Sequence, residues 1–434
     1  MSTVSYSNYK EIGHDWIGCI PSHWHIRRLK YALKLKTEKT ESRTNPVALE
    51  NIEGWSGRYL QTDTEYAGEG VAFEVDDLLF GKLRPYLAKV WSAESEGQAV
   101  GDFHVLRPAA LTQSDYAKYQ MLNRNFISIV NSSTYGAKMP RVGWDFMGNL
   151  PFILPPLAEQ TAIATFLDRE TAKIDALVNE QQRLIELLKE KRQAVISHAV
   201  TKGLDPNVKL KSSGVEWPLA IPAHWEILPL TRLIKKFVDY RGVTPEKIDS
   251  GIPLITASQI KNGCINHDLD PVFISEEEYN SRMNRGFPEV GDVLLTTEAP
   301  LGEVAMIEDA YVSPGQRMIL MKTHAERITN QFLFSHFRSD FGRNELFKGS
   351  SGSTASGIRA DRLRASSVLV PPIEEQDQIV RYIDMQTKDF DLILADIQIQ
   401  LDLLKERRST LISAAVTGKI DVHGLVQEQH ITAE

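Results

Sequence analysis

Two stretches of the chain, residues 157–202 and 373–417, contain neither glycine nor proline, and their apolar positions recur at alternating steps of four and three. In the first stretch these positions are Ile163, Leu167, Ile174, Leu177, Leu184, Leu188 and Val195, with Glu170, Gln181 and Lys191 as weak members of the same series. In the second, Ile379, Ile383, Phe390, Ile393, Ile397, Leu404 and Leu411 keep the same register 216 positions later. This is the pattern of a helix with one apolar seam. Each stretch follows a Pro-Pro pair and ends before glycine, Gly203 or Gly418, as helix punctuation requires. About 40 helical residues at ~1.5 Å each reach roughly 60 Å, more than a small domain needs. The remaining chain is mixed. Short apolar runs such as 77–80 (DLLF), 292–296 (DVLLT) and 367–370 (SVLV) read as strands, and 115–130 and 328–347 read as helical.

The chain repeats itself. Residues 13–24 (GHDWIGCIPSHW) return as 214–225 (GVEWPLAIPAHW), and 155–160 (PPLAEQ) returns as 371–376 (PPIEEQ). The order is therefore module, long helix, module, long helix. The boundaries fall at 1–156, 157–205, 206–372 and 373–434. An apolar seam facing water has to find a partner. A second helix returning along the first satisfies both seams within one chain, which predicts an intramolecular antiparallel coiled coil separating two α+β (mixed α/β) modules. A homodimeric parallel coiled coil is the other arrangement the periodicity allows.

Composition narrows the class. The two cysteines, Cys19 and Cys264, are too few for a disulfide framework, no secretory leader or membrane-spanning run is visible, and a cytoplasmic location is expected. The net charge is −8, but residues 1–156 balance 17 basic against 17 acidic side chains and residues 206–372 balance 19 against 20. The excess acid lies in residues 373–434, with 6 against 12. A neutral module can present a basic face, although phosphate neutralisation supplies so much of DNA affinity that it would need partners.

The doubled opening motif (Trp16, Ile20, Pro21, His23, Trp24; Trp217, Ile221, Pro222, His224, Trp225), the doubled PPxxEQ helix start and the doubled LKE(K/R)R helix end resemble the specificity subunits of type I restriction–modification systems. The resemblance covers almost the whole chain. It implies two target-recognition domains, each reading half of a bipartite, asymmetric double-stranded DNA target. It also implies helices that act as ruler and as docking surface for two methyltransferase subunits, and through them for restriction/translocase subunits. S-adenosylmethionine, ATP and magnesium would be used by those partners and not by this chain. A coiled-coil scaffold without sequence readout is the alternative, and a cryptic nuclease a third.

The sequence carries no (N/D)PP(Y/F/W) methylase loop, no phosphate-binding GxxxxGK(S/T), no HExxH or CxxC, and no spaced nuclease carboxylates. His23 and His224 sit in repeated Trp-flanked turns and read as structural; Glu159, Gln160, Glu375 and Gln376 read as helix caps. DNA contacts are then sought in donor-rich loops. The candidates are Lys82 and Arg84; Ser133, Thr134, Tyr135, Lys138 and Arg141; Tyr240 and Arg241; and Ser350, Ser351, Ser353 and Thr354.

Overall fold

The computed structural model describes residues 5–426 except 15, 41–44, 63–68, 137, 241–243, 349 and 352–356. It divides into two compact units, residues 1–182 with 398–434, and residues 183–397. Each unit joins one module to a segment of both long helices, Leu157–Lys202 and Ile373–Val416.

In the first unit β1 (Leu33–Lys36), β2 (Leu78–Gly81), β3 (Val90–Ser92) and β4 (Phe103–Pro108) form an antiparallel sheet in the order β1-β4-β2-β3. Leu78, Phe80 and Leu106 enter one core and Leu79, Trp91 and Val105 another. Because both faces are covered, β2 reads as an unbroken apolar run instead of an alternation. In the second unit β5 (Ile234–Asp239), β6 (Val293–Thr297), β7 (Leu301–Met306) and β8 (Met318–Thr323) repeat the topology in the order β5-β8-β6-β7, with Leu294 and Leu295 on opposite sides. Buried Asp77 takes a forked bond from Arg107 at 2.9 and 2.8 Å, and buried Asp292 pairs with Lys322 at 2.8 Å in the matching place. A buried carboxylate needs such a partner.

The strand entering each module pairs with the strand leaving it, His25–Arg28 with Pro151–Leu154 and Glu226–Pro229 with Ser367–Val370. That pairing brings the His-Trp motif against the Pro-Pro start of the long helix. The stretch read as one helix at 115–130 is two, Ser114–Met121 and Arg124–Ser132, because Asn123 accepts the Asn125 amide and starts a new helix. The stretch 328–347 likewise splits into Asn330–Arg338 and Asp340–Lys348, where Ser339 Oγ donates to the His336 carbonyl and accepts from the Gly342 amide.

Within each unit the beginning of one long helix lies beside the end of the other, so the two helix segments run antiparallel. In the first, Ile163, Leu167 and Ile174 are buried, as are Leu401, Ile412, Ala415 and Val416; in the second, Ile196, Ala199 and Val200 are buried, as are Ile379, Ile383 and Phe390. The seam differs from the heptad reading by one residue over part of its length. Leu177, Leu184 and Ile393 are exposed, at 52, 40 and 43%, while their neighbours Val178, Ile185 and Leu394 turn inward. Leu188, Val195, Leu404 and Leu411 are only half-buried, and Ile397 and Leu401 are buried. The slip begins at an extra step of four from Leu167 to Thr171 and from Ile383 to Thr387, both threonines being buried. Thr171 is accommodated by donating its hydroxyl to the Leu167 carbonyl at 2.7 Å, while Glu170, largely covered, pairs with Lys173 and Arg169. A strict 3.5-residue seam also drifts by ~20° per heptad on a straight helix. Among the described residues no helix is long and apolar enough to cross a membrane.

Candidate nucleic-acid interface

The repeated motifs build a joint in each unit. In the first, Glu159 accepts the Trp24 indole at 2.8 Å, His23 Nε2 at 2.7 Å and the Tyr6 hydroxyl at 3.2 Å. Burial, with Glu159 close by, pushes the Tyr6 hydroxyl far above the ordinary tyrosine range, so it stays protonated and donates. In the second, His224 meets Glu375 at 2.6 Å. Gln160 accepts the Gln113 amide and donates to the Leu111 and Pro155 carbonyls; Gln376 accepts the Thr329 amide and donates to the Arg327 and Pro371 carbonyls, all at 2.8–2.9 Å. These residues are ties between helix start and module, and the reading of them as local caps is corrected: their partners lie 47 to 153 positions away or on the preceding prolines. Lys10 and Lys211 repeat a further tie, each donating to the carbonyl of its own module's Trp24 or Trp225. Each histidine bonds the glutamate at its own helix start beside the tryptophan of the repeated turn.

Away from this joint, three separate segments of the first module converge. The turn after β2 runs beside the loop preceding Pro151: Val142 N donates to Lys82 O at 3.0 Å, Arg84 N to Pro140 O at 2.7 Å, and Arg141 bridges to both Leu83 and Tyr135. Arg84 adopts φ +50°, a strained conformation for a residue with a Cβ, which places Pro85 at the start of a short helical turn. From the third segment, directly before β4, Asp102 accepts Arg141 Nε at 3.0 Å and Nη2 at 2.8 Å, with Lys82 Nζ 3.9 Å away. The Arg141 hydrogen bonds hold the Asp102 carboxyl below its ordinary range despite partial burial, so the pair is ionic near neutrality. Lys82, Arg84, Lys138 and Arg141 against Asp102 leave this surface positive, which suits phosphates. Arg84, Tyr135 and Lys138 are exposed. Ser133 and Thr134 spend their hydroxyl hydrogens on the end of their own helix, donating to the Val130 and Asn131 carbonyls at 2.9 Å.

The second module brings the corresponding segments together, with Glu298 in the β6–β7 turn bridging to Gly357. Its chemistry differs. Arg317, directly before β8, reaches Glu298 at 3.0 Å. Tyr240 is corrected as a contact residue: it is buried and donates its hydroxyl to the Gly286 carbonyl at 2.7 Å, because its position ends β5 inside the core. Arg241, Ser353 and Thr354 lie outside the described residues, and Ser350 and Ser351 form a short strand paired with Gly357–Ile358. The sequence reading missed Asp102 and Arg317, whose signal is their shared place one residue before β4 and β8 of matching sheets. It also missed Arg359, Arg362 and Arg364, exposed at and after the end of that strand pair.

Comparison with known proteins agrees with this arrangement. The family described as type I restriction modification DNA specificity domain matches residues 95–187 and 225–402, more than half of the chain. The chain is 25% identical over 375 residues to the type I restriction enzyme EcoBI specificity subunit of Escherichia coli, covering 83% of this chain and 77% of that one. It is 22% identical over 433 residues to the MjaVIII specificity subunit of Methanocaldococcus jannaschii, covering 94% and 95%. A chain solved in work on complex assembly and conformational transition of the type I R-M system superposes with a TM-score of 0.63 at 17% identity, over 92% of this chain and 98% of that one. Two copies of one sheet topology, each tied by the same Glu-Gln device to a long helix, and a family match spanning parts of both modules place this chain in the type I restriction–modification DNA specificity family.

Proposed function

We propose that the chain is the non-catalytic, DNA-reading subunit of a type I restriction–modification complex, and that each module reads one half of a bipartite, asymmetric duplex target. The observation that carries this reading is the pairing of a repeated frame with unlike tips: Asp102 holding Arg141 in one module, Arg317 meeting Glu298 in the other. A scaffold without sequence readout has no use for divergent charged tips on a shared frame. The long helices dock two methyltransferase subunits, a role supported by apolar side chains left outside the seam, among them Leu187 and Leu392. Restriction/translocase subunits join through them. The partners supply S-adenosylmethionine, ATP and magnesium, and extrude the target base from the stack; this chain binds none of these cofactors.

The test is reconstitution with a methyltransferase subunit followed by sequencing of methylated DNA. Two specific half-sites separated by a fixed gap are expected; salt-sensitive, sequence-blind binding would instead favour the scaffold. If the helices set the gap, a four-residue insertion after Gln182 adds roughly 6 Å. At ~3.4 Å per base pair the gap should lengthen by about one or two pairs while the specific bases stay the same. An active insertion variant with an unchanged gap would remove the ruler from this reading.

A further inference from the structure

We propose that Arg141 and Arg317 are the guanine readers of the two half-sites, each held ready by a carboxylate of its own module, an assignment that rests on the DNA-reading role above. Asp102 takes the Nε and Nη2 of Arg141, at 3.0 and 2.8 Å. Nη1 has no partner among the described residues, and the side chain is about one-third exposed. A guanidinium has two usable edges, and the free edge pairs Nη1 with the second hydrogen of Nη2. Guanine offers two acceptors, O6 and N7, on its major-groove edge, and the two forks match. A carboxylate that fixes the far edge removes much of the rotamer freedom that an arginine otherwise loses on binding. Phosphate recognition gains little from such fixing, since an untethered cation serves it, and Arg84 and Lys138 beside the site are exposed cations of that kind.

In the second module the pair is drawn from different positions. The residue before β8 is Arg317 where the first module has Asp102 before β4, and the bridging position of Arg141 is taken by Gly357. The carboxylate is supplied from the opposite wall by Glu298, at 3.0 Å from Arg317 Nε. Each module therefore presents one arginine paired with a carboxylate across two of its converging segments. Lysine at either position would keep the charge and lose the fork.

The experiment uses the full chain reconstituted with a methyltransferase subunit, and a duplex pool in which each position of both half-sites is varied through all four bases. For R141K a G·C preference at one position of one half-site should collapse, with a roughly tenfold to hundredfold loss on the parental duplex and the other preferences intact. R317K should do the same in the other half-site, and because the two variants lie in different modules, misfolding of one leaves the other decisive. D102N should weaken binding while keeping the same preferred base, since the reader remains and only its support is lost. Uniform weakening across all duplexes with a shallower salt dependence would assign these arginines to phosphates and overturn the proposal, as would unchanged preferences in both lysine variants. A wild-type complex without any base preference would overturn the DNA-reading role along with it.

Discussion

The seam between the long helices makes a quantitative prediction at two leucines of the same unit. Periodicity puts Leu177 in the seam and passes over Leu401, whereas the structure leaves Leu177 52% exposed and Leu401 5% exposed. Truncating a buried leucine to alanine costs ~2–5 kcal/mol, depending on how far the site collapses. A site between two helices relaxes more easily than a central core, so Leu401→Ala should fall near the lower end, about 2–3 kcal/mol. Leu177→Ala should stay within about 0.5 kcal/mol, the range of surface changes. For a unit of this size each kcal/mol moves the unfolding midpoint by ~2–4 °C, so L401A should lower it by roughly 4–12 °C and L177A by two at most. Calorimetric unfolding of the full chain, following the transition of the first unit, measures both. Equal losses, or a larger loss for L177A, would return the seam to its strict heptad register and remove the extra step at Thr171.

Gly203 and Gly418 both end long helices at φ +72°, but an added Cβ at Gly418 meets the rings of Pro21 and Trp24, while at Gly203 it meets the Glu375 carboxylate at 3.1 Å and Trp225 at 3.3 Å. Gly203→Ala should therefore cost ~1–2 kcal/mol for the left-handed backbone, and Gly418→Ala clearly more; urea unfolding of both variants checks the order. His104 is buried under Trp144, and burial pushes its pKa from the ordinary 6.5 down to about 4 although its bond to the Val142 carbonyl opposes this. Because the folded-state pKa is the lower, the neutral form's stability is complete above pH ~6.5 and is lost as pH falls towards 4, by up to ~3 kcal/mol. Unfolding measured between pH 4 and 7 should show this slope for the wild type and a flatter one for His104→Gln.

The frame was legible in the sequence because its residues are constrained twice. Gln160 and Gln376 have to satisfy three backbone groups each, so the same side chain recurs at the same interval. Trp24 and Trp225 are fully buried, so the core fixes both. What escaped was which neighbour of a heptad position turns inward, because Thr171 and Thr387 are polar and periodicity counts only apolar residues. The partnership of Asp102 with Arg141 escaped for another reason. Residues 39 positions apart meet only through the pairing of strands, and neither side chain differs in type from a solvated charge. Tyr240 failed in the opposite way, as an aromatic beside an arginine and a glycine that the core claimed.

The two modules keep one frame while the charged residues at their tips differ. A change at Glu159 would leave the Trp24 indole and the Tyr6 hydroxyl without acceptors near a buried core, and an unsatisfied buried donor costs ~1–3 kcal/mol. The tip pairs are different in kind. Arg317 and Glu298 are each about half-exposed, so exchanging either costs little, as exposed ion pairs contribute ~0–1 kcal/mol. Asp102 and Arg141 are more enclosed, yet both remain in contact with solvent. Carboxylate and guanidinium can therefore occupy different positions in the two modules while the strands beneath stay paired. A repeated frame can thus vary its surface chemistry at weakly held positions while its geometry rests on the buried, fully bonded ones.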